Sequence, residues 1–326
     1  MRHEHTGRRS KSVRIAIRIC IALLILVLVV NPIVNAVVYG LIFNRRVQTP
    51  AAQATPVSAF PGLRMESCAF PSDEGQMLVG YRYSAGSRAP KGLIVMAHGI
   101  GGGHAAYRRI AAAFAQGGYL VFAYDATGTD GSEGSGIGGL PQGVIDLDYA
   151  LRFVDQDSAY RDLPVVVFGH SWGAYSAGAV LAYHPEVCAA VLASGFDRSA
   201  DMLRLRASDY VGPLAKLMLP YVRLHERIRF GDYAGASVSG GLRSSKAAAL
   251  IIQGGKDDVV PAESGYSRYY AEFANDARFR FLEYPDRGHG DIFDAPSGSL
   301  DTALMDEILD FCDGACGAEA ALPAAA

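Results

Sequence analysis

The stretch "VVVFGHSWGAYSAG", residues 165–178, constrains the fold of this 326-residue chain more than any other. Its opening apolar run reads as a strand buried on both faces, the mark of a parallel sheet. The run stops at Gly169-His170-Ser171-Trp172-Gly173, and small residues then continue at helical spacing. A turn this sharp brings the residues two before and two after the serine almost into contact, and glycine has no Cβ to clash there. The serine between them is held in a strained conformation with its hydroxyl exposed above the sheet. The helix that starts at this point aims free N–H groups and its positive end at the same place.

The rest of the chain repeats the rhythm. Residues 63–86 read as two strands about a turn at Ser72-Asp73-Glu74-Gly75. Buried strands are predicted at 92–99, 119–125, 164–169, 187–194, 248–254 and 279–285. Helices are predicted over 104–117, 139–157, after Ser171, and near 299–312. Such alternation predicts an α/β fold with a doubly wound, mostly parallel sheet. Residues 195–246 carry no strand pattern but hold Met202, Leu203, Leu214, Leu217 and Met218, so a short helical cap is expected there. The main domain then runs from 62 to 312, and the Ala-rich residues 313–326 are expected to be a disordered tail.

The N-terminus has a different composition. Residues 1–18 hold six bases and one acid, although the whole chain has a net charge of −3. From Ile19 to Phe43 no charge occurs over 25 residues. A helix of that length is about 37 Å long, enough to cross a hydrocarbon core of about 30 Å. The expected order is a cytoplasmic basic tail at 1–14, a transmembrane anchor at 15–43 and a Pro/Ala/Gln/Thr-rich linker at 44–61. The basic excess before the span places everything after it outside the cytoplasm. Val34-Asn35-Ala36 also fits a signal-peptide cleavage site, with secretion as the alternative, but the apolar run continues past it to Phe43. Pro32, with Asn31 and Asn35, is expected to kink the helix. A pI near 6.2 gives no sign of a nucleic-acid partner. The five cysteines form no C-x-x-C pair, and no cluster has metal-ligand spacing, so no metal or cofactor is expected.

A serine hydroxyl needs a base to become a nucleophile. Gly288-His289-Gly290 follows the 279–285 strand, and Asp257-Asp258 follow the 248–254 strand. The chain order is therefore Ser, Asp, His, with either aspartate able to orient the imidazole. With these residues the chain resembles the α/β-hydrolase superfamily, in its esterase, lipase and serine-aminopeptidase-like branch, over roughly residues 62–312. The resemblance implies that the acid precedes x-Val/Ile-Val-Pro, which selects Asp257 and leaves Asp258 to cap a turn. It also implies an oxyanion hole made by the backbone N–H groups of Ile100, in "AHGIGGGH", and Trp172. The loop "YDATGTDGSEGSGIGG" (124–139) lacks the Lys-Ser/Thr of a phosphate loop and approximates a pocket-rimming loop of that family. His98 and His170 are expected to be structural, and His104, His184 and His225 to be surface or packing residues.

The expected function is a membrane-anchored serine hydrolase that cleaves carboxylic esters, small or lipid-like, through a Ser171–His289–Asp257 triad and an acyl-enzyme. A peptidase or an acyltransferase on the same fold, or a non-catalytic binding module, are the rival readings. The sequence leaves the oligomeric state open.

Overall fold

The computed structural model describes residues 4–319, with side chains within 11–317. The chain opens on one long helical rod. Helix α1 spans Glu4–Ile25, a π-helical turn covers Leu26–Val30, and α2 spans Asn31–Phe43. In the wide turn the Asn31 N–H donates to the carbonyl of Leu26. Pro32 explains that turn: proline has no N–H and its ring crowds the carbonyl four residues earlier, and an extra residue in the turn relieves the crowding. From Lys11 to Phe43 the rod is long and apolar enough to cross a membrane.

The main domain follows with β1 (Leu63–Pro71), β2 (Met77–Ala85), β3 (Leu93–Ala97), α3 (Arg108–Gln116), β4 (Leu120–Tyr124) and α4 (Gln142–Gln156). Then come β5 (Val165–His170), α5 (Trp172–Val180), β6 (Val187–Ala193), α6 (Ser199–Val211), α7 (Ala215–Phe230) and α8 (Val238–Ser244). The chain closes with β7 (Ala248–Gly254), α9 (Tyr266–Phe273), β8 (Phe279–Tyr284) and α10 (Thr302–Glu319). The strands form one eight-stranded sheet in the order β1-β2-β4-β3-β5-β6-β7-β8. β2 pairs antiparallel with β1 and β4, and the other pairs are parallel.

Successive side chains of a strand point to opposite faces. Val95 and Val167 therefore pack with α4 and α5, whereas Ile94, Met96, Val166 and Phe168 pack with α3 and α10. Both faces are covered, which is why the central strands are apolar throughout. The expected α/β architecture and the helical insertion, here α6 to α8, are both present.

Two terminal segments differ from expectation. Residues 44–61 are laced to the domain: Arg46 donates to the carbonyls of Gly134 (2.6 Å), Asp130 (2.8 Å) and Ser132 (2.9 Å), and Thr49 bonds Asp130. Proline and threonine content did not reveal those partners. At the other end α10 continues to Glu319 and buries Cys316, because Cys312 and Cys316 lie one turn apart on its inner face. Residues 320–326 of the expected tail lie outside the described residues.

The rod is also part of the domain. Tyr39 and Phe43 are buried in the same core as Trp172 and Phe230. Gly139 approaches so closely that a Cβ there would lie 2.1 Å from the Tyr39 hydroxyl, and one on Gly136 would lie 2.4 Å from the Phe43 carbonyl. Burying a side chain such as Phe43 stabilises the folded state by about 1.5–3 kcal/mol.

Candidate active site

Ser171 stands between β5 and α5 with φ 57° and ψ −119°, a conformation that costs an L-residue about 1–3 kcal/mol. The glycines around it permit the turn. A Cβ on Gly169 would lie 2.1 Å from the Gly173 carbonyl oxygen, and one on Gly173 would lie 2.1 Å from that of Ala97. The Ser171 N–H donates to Ala193 on the neighbouring strand, which ties the strained residue to the sheet.

His289, from the loop after β8, has Nε2 2.9 Å from Ser171 Oγ and Nδ1 2.8 Å from Asp257 Oδ2. A carboxylate can only accept, so Nδ1 carries the hydrogen and Nε2 is left to accept from the serine hydroxyl. Burial alone would raise the Asp257 carboxyl, but its bonds with the His289 ring and the Val260 N–H outweigh that and hold it below the ordinary carboxylate range. The structure thus brings Ser171, His289 and Asp257 into one hydrogen-bonded line.

Asp258 differs from expectation. It is exposed, and the turn is capped by Asp257 itself, whose Oδ1 accepts from the N–H groups of Val259 (3.0 Å) and Val260 (2.7 Å). One carboxylate does both jobs, since its two oxygens face different partners. Buried Gln253 supports the loop by donating to the carbonyls of Gly254 and Val260, a role the sequence reading missed.

His170 points away from the serine hydroxyl and holds the site from behind. The Gly99 N–H donates to the Tyr107 hydroxyl (3.0 Å), which contacts His170 Nδ1 (2.8 Å), and His170 Nε2 lies 3.0 Å from the His289 carbonyl. A carbonyl only accepts, so Nε2 carries the hydrogen and Nδ1 accepts from tyrosine. Burial, with His289 nearby, pushes the His170 imidazole down to about 3, so the ring is neutral. The relay joins the Gly99 loop to the His289 loop. Tyr107 was invisible in the sequence because it sits in a 3₁₀ turn, one residue before α3.

Among the described residues, the other histidines have structural partners. His98 links its loop to the next by accepting from the Ala126 N–H (2.9 Å). His184 is buried against Asp148 (2.7 Å) and Glu186 (2.5 Å), a bonded rather than a surface position. His225 packs on Tyr39. His104, Asp125 and Asp130 offer ligand atoms within 4.8 Å of one another. Those atoms are engaged already: His104 with Asp125 and Arg108, and Asp130 with Thr49.

Above the serine lies a half-open, apolar cavity of about 540 Å³. Ile100, Leu140, Ser171 and Trp172 form its floor; Met202, Leu203, Met218 and Val222 of the cap and Val38, Tyr39 and Ile42 of α2 form its walls. The Trp172 N–H heads α5, before any carbonyl of that helix can accept it. Beyond the pocket wall, buried Glu226 of α7 accepts from Tyr39 (3.0 Å) and Ser199 (2.5 Å). Its burial pushes the carboxyl up to about 7.

A family model described as "Serine aminopeptidase, S33" matches residues 88–235. No curated protein sequence matches the chain. Among solved structures, an esterase from Pyrococcus furiosus is similar at a TM-score of 0.63 and 16% identity, over 84% of this chain and 99% of that one. Acetyl xylan esterase 1 from a Thermoanaerobacterium species is similar at 0.55 and 17%, over 83% and 96%. Brefeldin A esterase, a bacterial homologue of human hormone-sensitive lipase, is similar at 0.57 and 16%, over 79% and 78%. This sheet order, this strand–serine–helix turn and the likeness to these esterases give the chain the α/β-hydrolase fold, and within it residues 88–235 match the serine-aminopeptidase family model.

Proposed function

We propose that the protein is a serine hydrolase of carboxylic esters, held at a membrane by residues 15–43 with its main domain on the extracytoplasmic side. The observation that carries this reading is His289 bridging Ser171 and Asp257 beneath an apolar cavity. His289 Nε2 takes the Ser171 proton as Oγ attacks the ester carbonyl, and Asp257 stabilises the resulting imidazolium. The N–H groups of Ile100 and Trp172 receive the oxyanion. His289 then gives its proton to the leaving alcohol, and water, activated by the same ring, resolves the acyl-enzyme. The cavity's apolar walls suit an acyl chain better than a charged peptide N-terminus, which favours esterase over aminopeptidase chemistry.

The test is hydrolysis of p-nitrophenyl esters from acetyl to palmitoyl by the full chain in detergent. Wild type should turn over, and Ser171→Ala should fall to background. Equal turnover in both would remove Ser171 from the mechanism. A cytoplasmic location for a reporter joined at the C-terminus would overturn the orientation.

A further inference from the structure

We propose that the last turns of the membrane helix form a wall of the substrate pocket, and that the substrate is an amphiphilic acyl ester entering sideways from the bilayer leaflet. This rests on the serine-hydrolase reading of the same site.

The length of the rod is the first argument. The charge-free run is about 37 Å long, about 7 Å more than a hydrocarbon core. The surplus is about 1.3 helical turns, and Tyr39 and Phe43, buried in the domain, lie in it. Glycines 136 and 139 make their seat, and the Tyr39–Glu226 bond fastens α2 to α7. A helix that ends in this seat holds the domain at the depth of the lipid headgroups.

The cavity is the second argument. Val38 and Ile42 project from α2 into the same cavity as Ser171, and both are still 39% and 57% exposed. One apolar surface therefore runs from the membrane helix to the serine. The cap continues it outward: Leu214, Leu217, Leu224 and Ile228 of the α6–α7 hairpin are 54–77% exposed, beside Lys216, Arg223 and Arg227. Exposed apolar side chains flanked by bases on a helical hairpin suit the interface of a bilayer. The occupant of this face is the leaflet, because α7 packs on the helix that enters it.

The full chain in nanodiscs tests this with a long-chain p-nitrophenyl ester and the soluble acetyl ester. The long ester should be cleaved at least tenfold faster when dissolved in the enzyme's own nanodisc than when offered in separate vesicles. Val38→Trp and Ile42→Trp should lower the long-to-acetyl turnover ratio at least tenfold, while a fluorophosphonate still labels Ser171. Equal rates from both lipid sources, an unchanged ratio, or a cap face buried in a dimer would overturn the proposal. Failure of wild type to label at Ser171 would sink the hydrolase reading itself, and the pocket proposal with it.

Discussion

Asp257 and Asp258 are neighbours in sequence but stand in different environments. Asp257 is 7% exposed and meets His289, whereas Asp258 faces solvent. Asp257→Asn should lower turnover about 10⁴-fold, because the amide favours the wrong imidazole tautomer. Asp258→Asn should leave turnover near wild type, and comparing kcat/KM for the two variants checks the assignment. His170 gives a second prediction. Its folded-state pKa of about 3 lies below the unfolded value of 6.5, so the unfolded chain binds the extra proton between them. The stability this neutral ring contributes is complete above pH 6.5 and is lost as pH falls toward 3. Thermal unfolding of wild type and His170→Asn should show the wild-type advantage shrinking from pH 7.5 to 4.5. A constant difference would mean that the ring titrates normally.

At the scale of elements, the central strands were legible because a strand covered on both faces must be apolar throughout, and few other structures demand that over five or six residues. The Gly-His-Ser-Trp-Gly turn was legible for a steric reason that holds in any such junction. What the sequence concealed was the inward face of α2. A helix that is apolar all round shows no periodic stripe, so nothing distinguishes Tyr39 and Phe43 from their exposed neighbours. The 124–139 loop reads in the sequence only as a pocket-rimming loop, whereas its Gly136 and Gly139 prove to be where the end of α2 packs closely. Gly139→Ala tests that contact, since its Cβ would strike the Tyr39 hydroxyl at 2.1 Å and its φ of 156° strains any other residue. The variant should unfold at a lower temperature than wild type and lose long-ester turnover more than acetyl-ester turnover. An unchanged melting temperature would mean that α2 sits loosely on the domain.

At the scale of the whole molecule, the end of the N-terminal helix and the connecting segment are packed on and bonded to the main domain. A chain starting at residue 47 would lose Tyr39, Phe43 and the Arg46 bonds, exposing Trp172, Phe230 and His225 to water. Such a truncation should aggregate and lose long-ester turnover, which size-exclusion chromatography and the ester panel would both read. A monomeric truncation with full activity would return the helix to the role of a simple tether. The claim beneath all of this is that Ser171 is a live nucleophile. The most direct measurement is mass spectrometry of the full chain after reaction with a fluorophosphonate. One adduct on the peptide carrying Ser171, absent from Ser171→Ala, is the predicted result. An unlabelled wild type, or the same adduct in Ser171→Ala, would contradict it.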